Sequence, residues 1–132
     1  LNDAALRLGC GKIALGHHFD DVVETLVMNL FHAGRFGCFS PVTYLDRRGI
    51  TVLRPFLYAP EQEISQFVRR SGIVPAPKYC PADGNTARQR AKDALRALEA
   101  REPGVRQRLF GALERSRTDG FAPHERGVRT KG

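Results

Sequence analysis

The sequence predicts an α/β chain, a parallel sheet with helices packed against it, and three observations carry that prediction. Ile13, Ala14 and Leu15 are apolar on consecutive positions, which suits a strand buried on both faces of a parallel sheet, and Gly16 follows as a sharp turn. From Asp20 onward, Val22, Val23, Leu26, Val27, Leu30 and Phe31 recur at the spacing of one helical stripe, leaving Asp21, Glu24, Thr25 and Met28 on another face. Between strand and helix stand His17, His18, Asp20 and Asp21. In open α/β sheets ligands bind at the carboxyl ends of the strands, so a titratable cluster there is a candidate site. Asp21 and Glu24 also have the spacing of a capping-box variant, and the two roles are compatible.

In chain order, Leu1 to Leu8 reads as the tail of a helix ending at Gly9, ahead of the strand that begins at Lys12. The chain opens on Leu rather than Met, and a sheet whose first strand arrives so late is expected to have lost earlier strands. The Asp20 helix ends near Ala33–Gly34, followed by a loop with Gly34, Gly37 and Pro41. Val42 to Leu45 and Ile50 to Leu53 are β-branched runs flanking Asp46-Arg47-Arg48-Gly49, a hairpin signature. Arg54 ends the second run, where its guanidinium can reach a phosphate above the sheet edge or pair with a nearby acid.

A helix from Pro60 to Ser71 has Glu61 and Glu63 in its first turn, Arg69 and Arg70 in its last, and Ile64, Phe67 and Val68 as its buried stripe. Ile73-Val74 resembles a further short strand, and the proline-broken loop from Pro75 to Asn85 carries Cys80. From Thr86 to about Ala100 a helix has Ala87, Ala91, Ala94, Leu95 and Leu98 on its apolar face. Arg88, Lys92 and Arg96 repeat every four residues on another side, with Arg90 beside them. Acids able to neutralise that ridge within the helix are few, which favours contact with phosphates over simple solvation. A last helix, Gly104 to about Arg115, buries Val105, Leu109, Phe110 and Leu113. Residues 117–132 lack periodicity and read as a disordered basic tail, so the folded unit is expected over 1–116.

The formal charge of +7, concentrated after residue 68, favours a polyanionic partner, with nucleic acid the default. Cys10, Cys38 and Cys80 have no CxxC spacing and an odd count, which argues against a disulfide framework and for a reducing cytoplasmic setting. No run of eighteen apolar residues and no charged-then-apolar leader is present, so neither a membrane span nor a secretory signal is expected.

The segment Gly16 to Gly34, GHHFDDVVETLVMNLFHAG, closely resembles the Gly-His-His-x-Asp-Asp-x-x-Glu-Thr segment of the PP-loop ATP pyrophosphatases that modify transfer RNA. ITVLRPFLYAPEQEI and CPADGNTARQRAKDALRAL extend the likeness toward the branch that makes 2-thiocytidine. The resemblance implies a Rossmann-like parallel sheet of the adenine nucleotide α-hydrolase type, with C-terminal helices. It implies a reaction in which ATP, with Mg²⁺, adenylates a cytidine carbonyl before sulfur from a donor protein attacks. By the same resemblance, Gly16, His17, His18 and Arg54 would contact the nucleotide, Asp20, Asp21 and Glu24 would order the catalytic site, and Cys80 would match the late ligand of a [4Fe–4S] cluster. Transfer RNA would lie on Arg88, Arg90, Lys92 and Arg96, and two copies could pair. The Ser-Gly-Gly-x-Asp-Ser phosphate loop and the upstream CxxC of that branch are absent from this sequence, so the chain in isolation is expected to be inactive.

Three other readings share these residues. A lysidine-forming transfer RNA ligase shares the His-Asp-Asp segment without a use for Cys80. A metal-dependent phosphohydrolase requires further ligands on other helices, whereas the remaining histidines are His32, on the same helix, and His124, in the tail. A non-catalytic basic module would bind RNA weakly and with steep salt dependence.

Overall fold

The computed structural model describes residues 1–77 and 87–122. Helix α1 (Asn2–Arg7) leads into strand β1 (Lys12–Ala14), followed by helix α2 (Phe19–Met28) and a π-helical turn, Asn29–Ala33. Strands β2 (Val42–Leu45) and β3 (Ile50–Leu53) precede α3 (Glu61–Arg70), α4 (Ala87–Arg101), α5 (Val105–Ser116) and a 3₁₀ turn, Thr118–Gly120. None of the described helices is long and apolar enough to cross a membrane.

The sheet has the order β1-β3-β2. β1 runs parallel to β3 with Ile13 opposite Val52, and β2 runs antiparallel to β3 with Leu45 opposite Ile50. The expected parallel sheet is therefore mixed, because the four-residue connection 46–49 closes a hairpin. Arg48 N–H donates to Leu45 O at 2.9 Å, and Gly49 takes the left-handed conformation at φ 60°. The double burial expected of β1 does not hold either, since Ile13 is buried while Lys12 and Ala14 are exposed. Paired residues share a face. Ile13, Ile50 and Val52 lie on the covered face, where Ala5 of α1 packs against the two isoleucines.

A second and larger core lies among the helices. Val22, Val23, Leu26 and Val27 of α2 meet Ala91 and Leu95 of α4, Phe110 and Leu113 of α5, and Leu57 from the loop after β3. Leu30 and Phe31, expected to continue the α2 stripe, are exposed because the π turn changes the rotation per residue and carries them off it. Gly34, at φ 58°, then ends the element where expected.

Three further expectations are corrected. The stripe of α3 is not buried, since Phe67 stands 65% exposed and no residue of α3 is buried. Ile73 and Val74 form no strand and are exposed. Residues 117–122 are folded rather than part of a tail, because Phe121 is an apolar anchor that closes the helical core, 6.0 Å ring to ring from Phe110. Asp119, just before it, accepts the Cys38 N–H at 2.7 Å and so pins the 35–41 loop. The remaining residues of the expected tail, 123–132, lie outside the described residues, as does Cys80.

Candidate functional site

The site is assembled where β1 and β3 end side by side. Leu15 N–H donates to Leu53 O at 2.8 Å, so Gly16 and Arg54 leave the sheet together. Gly16 has no positive φ, and a Cβ built on it meets nothing within 4 Å. Neither backbone conformation nor internal packing asks for glycine there. The His17 ring then stacks on Phe39, with centroids 4.7 Å apart, and the Arg54 guanidinium lies 5.1 Å from the centroid of the same ring. Arg54 Nη1 donates to Ser40 O at 2.5 Å and to Thr43 Oγ1 at 3.2 Å. Among the described residues it pairs with no carboxylate.

Two buried nitrogens at this corner, His17 Nδ1 and Arg54 Nε, have no hydrogen-bond partner among the described residues, while the His18 ring faces the chain's own acids, Nδ1 3.9 Å from Asp20 Oδ2 and Nε2 3.4 Å from Asp21 Oδ2. Buried polar atoms left bare each cost about 1–3 kcal/mol, so a pair of them marks a place where polar atoms from outside the chain belong. Burial holds the His17 pKa below its ordinary value; Asp21 opposes that shift, while Arg54, Arg88 and His18 reinforce it. At neutral pH His17 therefore offers an uncharged imidazole, one nitrogen donating and one accepting.

The acids do different work. Asp21 Oδ2 accepts the His18 N–H at 3.0 Å, the reach-back half of a capping box, with Asp21 itself at the position expected of its acidic partner. The other oxygen, Oδ1, lies 3.3 Å from Arg88 Nη1. Asp20 Oδ2 accepts the Glu61 N–H at 2.8 Å, tying off the start of α3, and Oδ1 receives Arg106 Nη1 at 2.7 Å. Glu24, only 5% exposed, faces Arg88 at 3.7 Å rather than capping. Burial raises its pKa, against the pull of Lys92 and Arg88.

Among the described residues, no group of three or more His, Cys, Asp or Glu converges on a position for a metal ion. The carboxylates of Asp20 and Asp21 are instead taken up by N–H groups and guanidinium groups. The described cysteines do not fit a cluster either. Cys10 is exposed, whereas Cys38 is buried with Sγ 3.6 Å from Val22 O, and its thiol is pushed up to about 11 by burial. Such a group stays protonated and ligates poorly.

The basic ridge of α4 is partly neutralised, by acids of α2 and α3 and by one within α4. Arg88 turns onto Asp21, Glu24 and Thr25; Lys92 Nζ lies 3.8 Å from Glu61 of α3; Arg96 lies 3.4 Å from Asp93; Arg90 is exposed. Sequence reasoning missed Arg106, which ties α5 to Asp20. The available signal was a cation in the first turn of a helix, where the dipole disfavours it unless an acid is near. Glu99 supplies the remaining caps of that turn, accepting from Gly104 N–H at 2.6 Å and Arg106 N–H at 3.1 Å. Asp20, Glu24, Glu61, Arg69, Lys92 and Arg106 together line a cleft of about 450 Å³.

Parallel strands ending in a histidine–arginine corner beside the start of a helix define a Rossmann-like α/β protein. The chain belongs to the PP-loop domain family, whose model matches residues 1–98. It is 39% identical over 115 residues to a tRNA-cytidine(32) 2-sulfurtransferase of Syntrophotalea carbinolica, which covers 86% of this chain and 44% of that protein. It is 40% identical over 113 residues to the Teredinibacter turnerae protein of the same name, covering 84% and 37%. The chain thus spans less than half the length of these relatives. A U34-tRNA thiolase, NcsA from Methanococcus maripaludis, solved with its [4Fe-4S] cluster, superposes with a TM-score of 0.67 at 21% identity, over 88% of this chain and 39% of the other; the likeness is one of fold.

Proposed function

We propose that this chain is part of an ATP-dependent enzyme that thiolates a cytidine base of transfer RNA. The observation that carries the reading is the 39% identity to a cytidine 2-sulfurtransferase over 86% of the chain. In this reading the C2 carbonyl oxygen attacks the α-phosphorus of ATP and pyrophosphate leaves. Sulfur from a donor protein then adds at C2, and AMP departs with the original oxygen. Adenylation turns a poor electrophile into one with a good leaving group, and the chain's residues hold the nucleotide for it.

Gly16, with open space where a Cβ would stand, lets the nucleotide approach the backbone closely. His17 presents its unpartnered Nδ1 to it with His18, held by Asp20 and Asp21, beside it, and Arg54, braced by Ser40 and Phe39, directs charge at a phosphate. Asp20, Asp21 and Glu24 act by fixing Arg106, Arg88 and the start of α2. Arg90 and Arg96, with Lys92 and Arg88 at the inner side of the ridge, lie along the transfer RNA backbone. Mg²⁺ accompanies the polyphosphate, and Cys80 is one ligand of a [4Fe–4S] cluster whose other ligands are not among Cys10 and Cys38. The reaction takes place in the cytoplasm.

The test supplies the whole protein with ATP, sulfide, lysine and unmodified transfer RNA, and follows nucleosides by mass spectrometry alongside AMP and pyrophosphate release. The expected outcome is 2-thiocytidine formed in step with AMP. An amine adduct in place of sulfur, or transfer RNA binding without nucleotide turnover, overturns it in favour of a lysidine-type ligase or a basic binding module.

A further inference from the structure

Residues 30–36 are exposed without interruption, and between 31 and 36 only Ala33 and Gly34 lack a planar side chain; the others are Phe31, His32, Arg35 and Phe36. Phe31 stands 68% and Phe36 40% in solvent. The backbone that carries them is fixed all the same. Asn29 O accepts the Arg35 N–H at 3.1 Å and Asn29 Nδ2 donates to Gly37 O at 2.9 Å, so a single residue closes the loop on itself. Gly37 and Cys38 are buried, and Asp119 holds the Cys38 N–H.

Phenylalanine rings kept in water on an anchored loop add nothing to the chain's own core, so their use lies outside it. Flat faces of Phe, His and Arg are what unpaired nucleobases stack on. Among the described residues no carboxylate lies within ion-pair distance of Arg35, which leaves its charge for an outside anion. The loop also continues directly into the histidine–arginine corner. From Phe36 to Phe39 is no more than about 11 Å of chain, and the Phe39 ring is the one that His17 stacks on at 4.7 Å and Arg54 approaches at 5.1 Å.

We propose that Phe31, Arg35 and Phe36 form a stacking platform for unpaired bases of the RNA substrate beside the cytidine that reacts. The two rings take base faces and Arg35 takes an adjoining phosphate. This inference rests on the reading of the chain as part of a transfer RNA-modifying enzyme and deepens it. The α4 ridge answers only to backbone charge, whereas the platform makes the site specific for a target in an unpaired segment, because the bases of a duplex are already stacked on one another and offer it no free face.

The test uses the whole protein and a stem-loop RNA in which 5-iodouridine, a photocrosslinker of stacked aromatic rings, replaces the unpaired neighbour of the target cytidine. Crosslinks are expected at Phe31 or Phe36, mapped by peptide mass spectrometry. Phe31→Leu and Phe36→Leu are each expected to weaken stem-loop binding by about tenfold at an unchanged salt slope, and to leave binding of a duplex unaltered. Phe36→Tyr keeps the ring and is expected within about threefold of wild type, while Arg35→Gln lowers the salt slope by about one. Circular dichroism checks folding, and the wild-type crosslink decides the matter even if a leucine variant unfolds. Crosslinks confined to other residues overturn the proposal, as do leucine variants that bind like wild type, the result expected if another protein surface covers the loop. Equal losses on stem-loop and duplex overturn it too. Crosslinking at Phe31 or Phe36 without 2-thiocytidine formation upholds the platform and overturns the reaction; thiolation with no platform crosslink does the reverse; no RNA binding at all overturns both.

Discussion

Around α2, Val22, Val23, Leu26, Leu95 and Leu113 are withdrawn from solvent entirely, whereas in the sheet one face buries Ile13, Ile50 and Val52 and the other leaves Val42 and Tyr44 58% and 61% exposed. The helical body closes because α4 and α5 both lie on α2 and the 118–121 turn seals the end with Phe121. Among the described residues, the sheet's small apolar cluster is completed by Ala5 of α1. The candidate site sits on the seam between these regions, on the short link from β1 to α2. Its histidines are thus held from one side by a rigid helix and from the other by a strand pair with much less packed against it.

The sharpest way to break this contrast is to truncate one side chain to alanine in each region. Phe121→Ala, in the sealed helical core, is expected to cost about 3–5 kcal/mol, and Val42→Ala, on the open strand face, about 0.5 kcal/mol or less. Chemical denaturation measures both. Comparable losses would mean that the two regions are equally enclosed.

A smaller effect separates two glycines on either side of the seam. Gly37 has φ 152°, and a Cβ there would come 2.5 Å from Asp119 Oδ2, the atom that accepts the Cys38 N–H. Gly37→Ala is therefore expected to lose about 1–3 kcal/mol, through backbone strain and the displaced carboxylate. Gly16→Ala meets neither obstacle and is expected to stay within about 0.5 kcal/mol of wild type. If Gly16→Ala instead proved the more damaging to folding, glycine would be structural at 16 and the case for close approach by a ligand would weaken.

The same contrast explains what could be read from the sequence. The α2 stripe, the 46–49 hairpin and the cap at Gly34 were legible because each is specified within a dozen residues, by periodicity, turn chemistry or a left-handed glycine. The exposure of Ala14, Phe67 and Leu30 was not legible. Apolar spacing says which residues can share a face, and leaves open whether another element covers it. Phe121 was misread for the converse reason, as one aromatic in a polar, aperiodic stretch whose burial depends on Phe110 eleven residues earlier. At the site, the cluster's position at a strand end was readable from local order. The division of labour among its acids was not, since Asp20 answers to Glu61 and Arg106, and Asp21 and Glu24 to Arg88, all distant in the chain.

The smallest expected effect concerns the seam itself. Because the folded state holds the His17 pKa below 6.5, the unfolded chain binds a proton there more readily than the native one does. Stability from this group is therefore complete above about pH 6.5 and declines as the pH falls from that value toward the lowered native pKa. His17→Gln is expected to flatten that part of the profile of denaturation midpoint against pH. Parallel profiles for wild type and His17→Gln would mean that the ring titrates as it does in water. The corner would then be as open as the outer face of the sheet, and its neutral imidazole would have to be given up.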